Sequence, residues 1–337
     1  MGREVETRIE VGEGDHRYQV VEAWPQFPEG VAVQEVVALA CDAQGRAFLF
    51  CRGSHPILIF DRGGRFVANF EVGPFARPHG LTIGPDDTIY CVDDFDHTVK
   101  VFSREGQLRL TLGTSGVYSI TGAVTIDYRT VERGGPPFNY PTNLAVAPSG
   151  ELYVTDGYGN ARVHRFAPDG RLLNSWGEPG TGPGQFQVPH GIAISPDGIV
   201  FVADRENSRI QRFTLQGQFI DEWTDVVRPC EVFVTDDGTV YIAELGCRAG
   251  RWPGWPDAPA GASGGRLSIF DRDGELLARW GGGESPCAAG DFFAPHDVWV
   301  DRLGDVYVSE VIWSAGARQG VVSASCHTLQ KFSRIHA

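Results

Sequence analysis

Three Pro-His pairs, Pro78-His79, Pro189-His190 and Pro295-His296, set three of the chain's 9 histidines 111 and 106 residues apart. Imidazole is the commonest metal ligand, and three imidazoles around an open fourth position make a catalytic zinc site. Zinc is the first expectation for such a set, and iron also suits imidazole. Two arginines, Arg52 and Arg205, and a tyrosine, Tyr158, follow short β-like segments elsewhere in the chain. Guanidinium binds carboxylate through two parallel hydrogen bonds, so arginines beside a metal point to a substrate bearing a carboxylate. A tyrosine beside a divalent cation and an arginine is a usable base. This chemistry exists only if the fold brings residues so distant in sequence to one point.

A repeat does so. The segments Pro78-His79-Gly80-Leu81, Pro141-Thr142-Asn143-Leu144, Pro189-His190-Gly191-Ile192, Pro229-Cys230-Glu231-Val232 and Pro295-His296-Asp297-Val298 each lead into a turn and an alternating strand ending in Asp or Glu. A degenerate first copy runs from Val37-Ala38-Leu39 to Cys51, which makes six. Each copy reads as an apolar strand, a Pro-Asp-Gly-like turn and a second strand. Most continue to a third, such as Arg209-Ile210-Gln211-Arg212-Phe213, and a fourth, such as Phe219-Ile220-Asp221-Glu222-Trp223. Four strands per roughly 40 residues describe a propeller blade. The pattern predicts an all-β, six-bladed β-propeller, one domain over 1–337, with the segment 18–24 as an outer strand closing the last blade. Gly- and Pro-rich surpluses near 113–139 and 246–265 predict long loops on one face.

Read down the repeat, the residue after the leading proline position is Val37, His79, Thr142, His190, Cys230 and His296. Histidine occupies blades 2, 4 and 6, which lie ~120° apart in a six-fold ring, so the three imidazoles converge on the axis. Cys230 in the same column reads as a buried thiol. The residue after the end of the second strand is Arg52 in blade 1 and Arg205 in blade 4, with Tyr158 just beyond Asp156-Gly157 in blade 3. These are the expected catalytic side chains.

Composition bounds the alternatives. Hydrophobic residues are 42% and charged residues 21%, which is ordinary globular chemistry. A formal charge of −14 repels phosphate backbones, so neither nucleic acid nor an anionic membrane is an expected partner. No apolar run reaches the ~18 residues of a spanning helix, and the charged N-terminus has no signal-peptide core. Cys is 7, an odd count with no close CxxC spacing, which predicts mostly free thiols and a cytoplasmic setting.

The strings Arg52-Gly53-Ser54-His55, Pro78-His79-Gly80-Leu81, Asp156-Gly157-Tyr158-Gly159-Asn160-Ala161-Arg162, Val188-Pro189-His190-Gly191, Ala203-Asp204-Arg205-Glu206-Asn207 and Pro295-His296-Asp297 resemble peptidyl-α-hydroxyglycine α-amidating lyase. That enzyme is the lyase half of the bifunctional peptide-amidating enzyme, built on a six-bladed propeller of NHL-type repeats. The resemblance spans roughly residues 37–333. It implies His79, His190 and His296 as zinc ligands, Tyr158 as the catalytic tyrosine, and Arg52 and Arg205 as active-site arginines. It also implies a structural calcium held by backbone carbonyls at Leu39 and Leu81 and by Asp297, an oxygen-only set.

Two positions depart from the family: Gly159 stands where a disulfide begins, and Ala294 stands where a methionine precedes the last Pro-His. The implied reaction cleaves the C–N bond of an N-acyl-α-hydroxyglycine or similar carbinolamide to an amide and glyoxylate, with Tyr158 activated by the metal and Arg52, and Arg205 on the substrate carboxylate. The partner is then a small molecule carrying a carboxylate and an α-hydroxyamide, and ureidoglycolate suits it as well as a peptide does. Three other functions use such a propeller: a lactonase-like metal hydrolase, another metal-assisted lyase or hydratase, and a non-catalytic protein-binding scaffold. Lactonases of this kind usually hold calcium with acidic and amide side chains, and a scaffold needs no aligned histidines.

Overall fold

The computed structural model describes residues 8–247 and 263–336. Its strands form six antiparallel sheets, and the inner strands Val33–Cys41, Pro78–Ile83, Pro141–Val146, Pro189–Ile194, Pro229–Val234 and Pro295–Val300 contact one another in that order and close back on the first. This is a six-bladed propeller. Among the described residues, five blades have four strands; the sixth has five, ordered Glu10–Glu13, His16–Val21, Leu329–Arg334, Val306–Glu310 and Pro295–Val300. The closing strand expected over 18–24 therefore begins at His16 and brings a further outer strand with it. Pairing of Val20 with Phe332 joins the two ends of the chain and covers what would be an open sheet edge.

The core lies between the faces of neighbouring blades. Tyr153 and Val163 of blade 3 pack on Val200 and Phe213 of blade 4, all fully buried. Burying such a side chain stabilises by roughly 1.5–3 kcal/mol, which is why each strand alternates between apolar positions facing a neighbouring blade. The turns between first and second strands need a left-handed residue. Gly198 supplies it at φ +84 in Pro196-Asp197-Gly198, while Ser195 Oγ accepts from the Ile199 amide at 3.0 Å.

Two devices repeated in the fold aim the channel-lining residues. The first is a register shift in every inner strand, at Val37, at His79-Gly80, at Thr142, at His190-Gly191, at Cys230 and at His296. A bulge adds one residue opposite the partner strand and turns its side chain out of the alternating pattern. The second is a buried acid ending the second strand in five blades: Asp93, Asp156, Asp204, Glu244 and Glu310. These accept backbone N–H groups of the segment just before the leading proline, from Arg77, Asn139, Gln187, Val227 and Ala294 respectively. The latch fixes where each Pro-His pair begins.

Blade 3 places Ser175, His164 and Asp156 in a hydrogen-bonded row, His164 lying 2.7 Å from Ser175 Oγ and 3.2 Å from Asp156 Oδ2. The same bond to the strand-ending acid is made by Lys100, Gln211 and Ser268 in other blades. The row is a blade lock shared by the repeat, not a nucleophile and its base.

The loop expected over 113–139 caps one face and carries the 3-10 turn Tyr128–Thr130. Of the second surplus, 246–265, residues 248–262 lie outside the described residues. A short helix, Ile312–Ala315, and a 3-10 turn, Ala317–Gln319, lie between the last two strands of blade 6. The expectation of mostly free thiols holds for Cys41, Cys51, Cys91, Cys230 and Cys247, but Cys287 and Cys326 form a disulfide. Their 39-residue separation has no local motif; the blade 6 insertion brings Cys326 back over the connection that carries Cys287. Among the described residues, no helix is long and apolar enough to cross a membrane.

Candidate metal centre and active site

His79, His190 and His296 meet on the channel axis. Their rings are buried, with centroids 4.8–5.0 Å apart. One ligand nitrogen from each lies within 4.8 Å of the others. The other nitrogens are committed: Nδ1 lies 2.7 Å from the Thr142 carbonyl in His79, 2.8 Å from the Cys230 carbonyl in His190 and 2.7 Å from the Val37 carbonyl in His296. A carbonyl only accepts, so each Nδ1 carries the proton and each Nε2 presents a lone pair to the channel. Thr142, Cys230 and Val37 occupy the same bulge in the following blade, so one geometry is used three times. Burial, and then the neighbouring imidazoles, hold His79 well below the ordinary histidine range. Burial, and then Arg205, do the same for His190. Burial and the Arg52 charge push His296 down to about 3. Three neutral, pre-aimed imidazoles fit a transition metal, and the all-nitrogen donor set suits zinc or iron.

Tyr158 closes over this set. Its hydroxyl is 3.1 Å from Nε2 of His79 and 3.1 Å from Nε2 of His190. Gly157 allows the approach, because a Cβ there would lie 2.3 Å from the Pro189 carbonyl oxygen. Gly159 is likewise crowded, with a Cβ 2.3 Å from Asn139 Oδ1, so the half-cystine of the resembled family does not fit this backbone.

Arginines line the cavity above, which holds about 290 Å³. Arg205 Nη1 donates to the Tyr158 hydroxyl at 3.3 Å, and its guanidinium lies 5.3 Å from the Tyr158 ring. Arg52 also reaches the cavity, but Nη1 pairs with Glu35 at 2.7 Å and Nε donates to the Pro78 carbonyl at 3.2 Å. The arginine in hydrogen-bonding contact with the phenol is Arg205, whereas Arg52 was the arginine expected beside it.

Two further arginines were not singled out from sequence. Arg77 is doubly bonded to Asp94 and packs on Phe95, 3.8 Å from its ring centre. Arg228 pairs with Glu206. Both precede the leading proline of their blade, two positions before the histidine column. A larger cavity of about 880 Å³ opens on residues such as Asp42, Phe233 and Trp299, none of them in the histidine–tyrosine set.

Beside the histidines lies a second set, one residue further along the repeat. Asp297 is buried, accepting from the amides of Leu39 at 2.8 Å and Val298 at 2.7 Å. Glu231 is buried too, accepting from the Ile192 amide at 3.2 Å and from the Asn143 side-chain amide. Blades 2 and 4 have Gly80 and Gly191 in this column, where a Cβ would come within 2.5 Å of Asn143 Oδ1 and 2.6 Å of Glu231 Oε1. Burial pushes the Asp297 carboxyl up to about 8. Burial, and then Asp297, push Glu231 well above the usual range. Two buried acids in mutual repulsion fit a hard cation. Leu39 and Leu81 are buried on the inner strands of blades 1 and 2.

The NHL repeat model matches residues 138–166 and 186–213, the first three strands of blades 3 and 4. NHL repeat-containing protein 3 of Homo sapiens is 29% identical over 320 residues, covering 90% of this chain and 82% of that protein. Peptidyl-alpha-hydroxyglycine alpha-amidating lyase 1 of Drosophila melanogaster is 26% identical over 355 residues, covering 90% of this chain and 60% of that protein. Among solved structures, a streptogramin B lyase superposes with a TM-score of 0.59 at 16% identity, covering 93% of this chain and 99% of that one. That likeness is one of fold. Six blades closed around one channel, together with the repeat match in two of them, make this chain a six-bladed β-propeller carrying NHL repeats.

Proposed function

We propose that the chain is a metal-dependent lyase that cleaves an N-acyl-α-hydroxyglycine or a similar carbinolamide to an amide and glyoxylate. The observation that carries this reading is the Tyr158 hydroxyl, 3.1 Å from the metal-facing nitrogens of two histidines. The name of the Drosophila relative supports the same reaction class. His79, His190 and His296 would hold a divalent ion, which would supply a Lewis acid for the substrate's α-oxygen. Tyr158 takes the hydroxyl proton. The oxygen electron pair forms the aldehyde C=O, the C–N bond breaks, and the nitrogen leaves with one proton as the amide. The reaction is neutral in protons overall. Arg205 stands beside the phenol and binds the substrate carboxylate, and Arg52 completes the wall. Leu39, Leu81 and Asp297 would hold a calcium that serves stability.

The test is glyoxylate release from a panel of α-hydroxyglycine amides, ureidoglycolate and lactones, before and after metal removal. Metal-dependent glyoxylate from an amide or from ureidoglycolate supports the reading. Lactone opening without glyoxylate release overturns it in favour of a hydrolase, and no turnover of any member leaves the scaffold reading.

A further inference from the structure

We propose that the loop between blades 2 and 3 carries a subsite for the acyl side of the substrate, and that this acyl group is a peptidyl one ending in an apolar residue. The inference rests on the lyase reading above and deepens it, since it separates a peptidyl substrate from a small one such as ureidoglycolate. An inverted pattern carries it. Over Tyr118-Ser119-Ile120-Thr121 the apolar side chains face solvent, Tyr118 58% and Ile120 80% exposed, while Ser119 and Thr121 are buried at 5% and 1%. A half-buried segment ordinarily turns its apolar residues inward. Here the polar residues are the anchors. Thr121 Oγ1 donates to the carbonyl of Gly159, the residue after Tyr158, at 2.5 Å, and the Ser119 carbonyl accepts from the Asn139 side-chain amide at 3.0 Å. The anchors hold the outward side chains close to the proposed base.

The patch is continuous with the cavity. Val124, also exposed, pairs with Asp127 across a turn that contains Ile126, a wall residue of the cavity. From the base outward the surface is aromatic. Arg77 lies 5.5 Å from the Tyr158 ring and 3.8 Å from Phe95; Tyr140, His97 and Tyr118 follow Phe95 at successive centroid distances of 5.5, 4.6 and 5.1 Å. Exposed apolar surface of this kind at the edge of a cavity marks a binding site. The cavity itself, about 290 Å³, is at the small end of the ~300–1,000 Å³ that ligand pockets hold, so a larger acyl group must extend beyond it. In the lyase reading the carboxylate lies toward Arg205 of blade 4 and the hydroxyl at Tyr158 of blade 3, which leaves blade 2 and its exit loop for the acyl group. Aromatic faces at an open rim favour the side chains of a peptide, through offset or edge-to-face ring contacts, over a linear hydrocarbon chain.

The experiment measures glyoxylate release from the N-acetyl, N-acetyl-phenylalanyl and N-dodecanoyl derivatives of α-hydroxyglycine. It uses wild type, Ile120→Leu and the double variant Tyr118→Ser with Ile120→Ser, with calorimetric binding of N-acetyl-phenylalanylglycine alongside. In the wild type, kcat/KM for the phenylalanyl substrate should exceed that for the acetyl one about 10- to 100-fold, as burial of one aromatic side chain provides. That ratio should collapse toward one in the double variant and persist in Ile120→Leu. Both changes to serine fall on exposed side chains, so the fold should survive, and Val124→Ser repeats the test should it not. An equal ratio in wild type and double variant overturns the proposal, and so does a gain confined to the dodecanoyl substrate. If no glyoxylate appears from any substrate, the lyase reading falls. Weaker N-acetyl-phenylalanylglycine binding in the double variant would then still uphold the subsite, and unchanged binding would sink it.

Discussion

His296 Nδ1 donates to the carbonyl of Val37 at 2.7 Å, so the contact that orients a channel-facing imidazole also joins the last blade to the first. Ring closure and site geometry are one interaction here. Loosening the seam between blades 6 and 1 would turn His296, and a metal bound by His296 would hold the seam. Ligand binding to the native state alone stabilises by about 2.7 kcal/mol at a hundredfold excess over Kd.

Metal content and melting temperature should therefore fall together. His190→Ala is expected to lose the transition metal, measured by elemental analysis, while the wild type holds one atom per chain. Chelation of the wild type should lower its melting temperature, and restored zinc should recover it. Full metal occupancy in His190→Ala would show that the three nitrogens are not the ligands.

The second cation is predicted to depend on Glu231 as well as on Asp297. Glu231→Gln keeps the shape of the side chain and can still accept from the Ile192 amide, yet removes one of two facing charges. Calcium content should drop, with melting lowered by several degrees. Asp297→Ala should cost more, since it also strands the Leu39 amide, a buried donor worth about 1–3 kcal/mol when unmade. Equal calcium content in both variants and the wild type would remove the site.

The propeller is legible because its columns recur: proline, histidine and strand-ending acid return at fixed places, and the bulge at His79, His190 and His296 makes a sequence column into a spatial ring. Adjacent columns hold the rest of the site. Arg77 and Arg228 come one residue before the proline, and Asn143 and Glu231 one after the histidine position. Their pairing could not be read, because Asp94 and Glu206 sit on loop residues whose direction depends on the neighbouring blade. The Cys287–Cys326 bond was hidden for a similar reason: it joins a blade-to-blade connection to an insertion of blade 6 that obeys no repeat.

That disulfide holds the segment carrying Ser314, which lines the cavity and whose amide donates to Glu35 Oε2 at 2.8 Å. Closing a loop of this size contributes typically 2–4 kcal/mol. Cys326→Ser, or a reductant, should lower the melting temperature and raise KM, with kcat less affected. Intact mass showing two free thiols in the untreated protein, with unchanged melting on reduction, would contradict the pairing.

Tyr158→Phe tests the base itself. The substitution removes one oxygen and keeps the ring that stands edge-on to His79 at 5.3 Å and to His190 at 5.6 Å, so the packing over the imidazoles survives. Nδ1 of each histidine stays bonded to its carbonyl, which leaves the metal-facing lone pairs where they were. Zinc content should therefore match the wild type. General acid–base groups contribute roughly 10²–10⁴-fold, so kcat should fall at least about a hundredfold. KM should change little, because the phenol acts on the hydroxyl proton and the carboxylate is held by arginine. Loss of metal and of activity together would make Tyr158 a ligand instead of a base. A near-wild-type kcat with full metal loading would leave the phenol without a role in proton transfer and move that step to a metal-activated water.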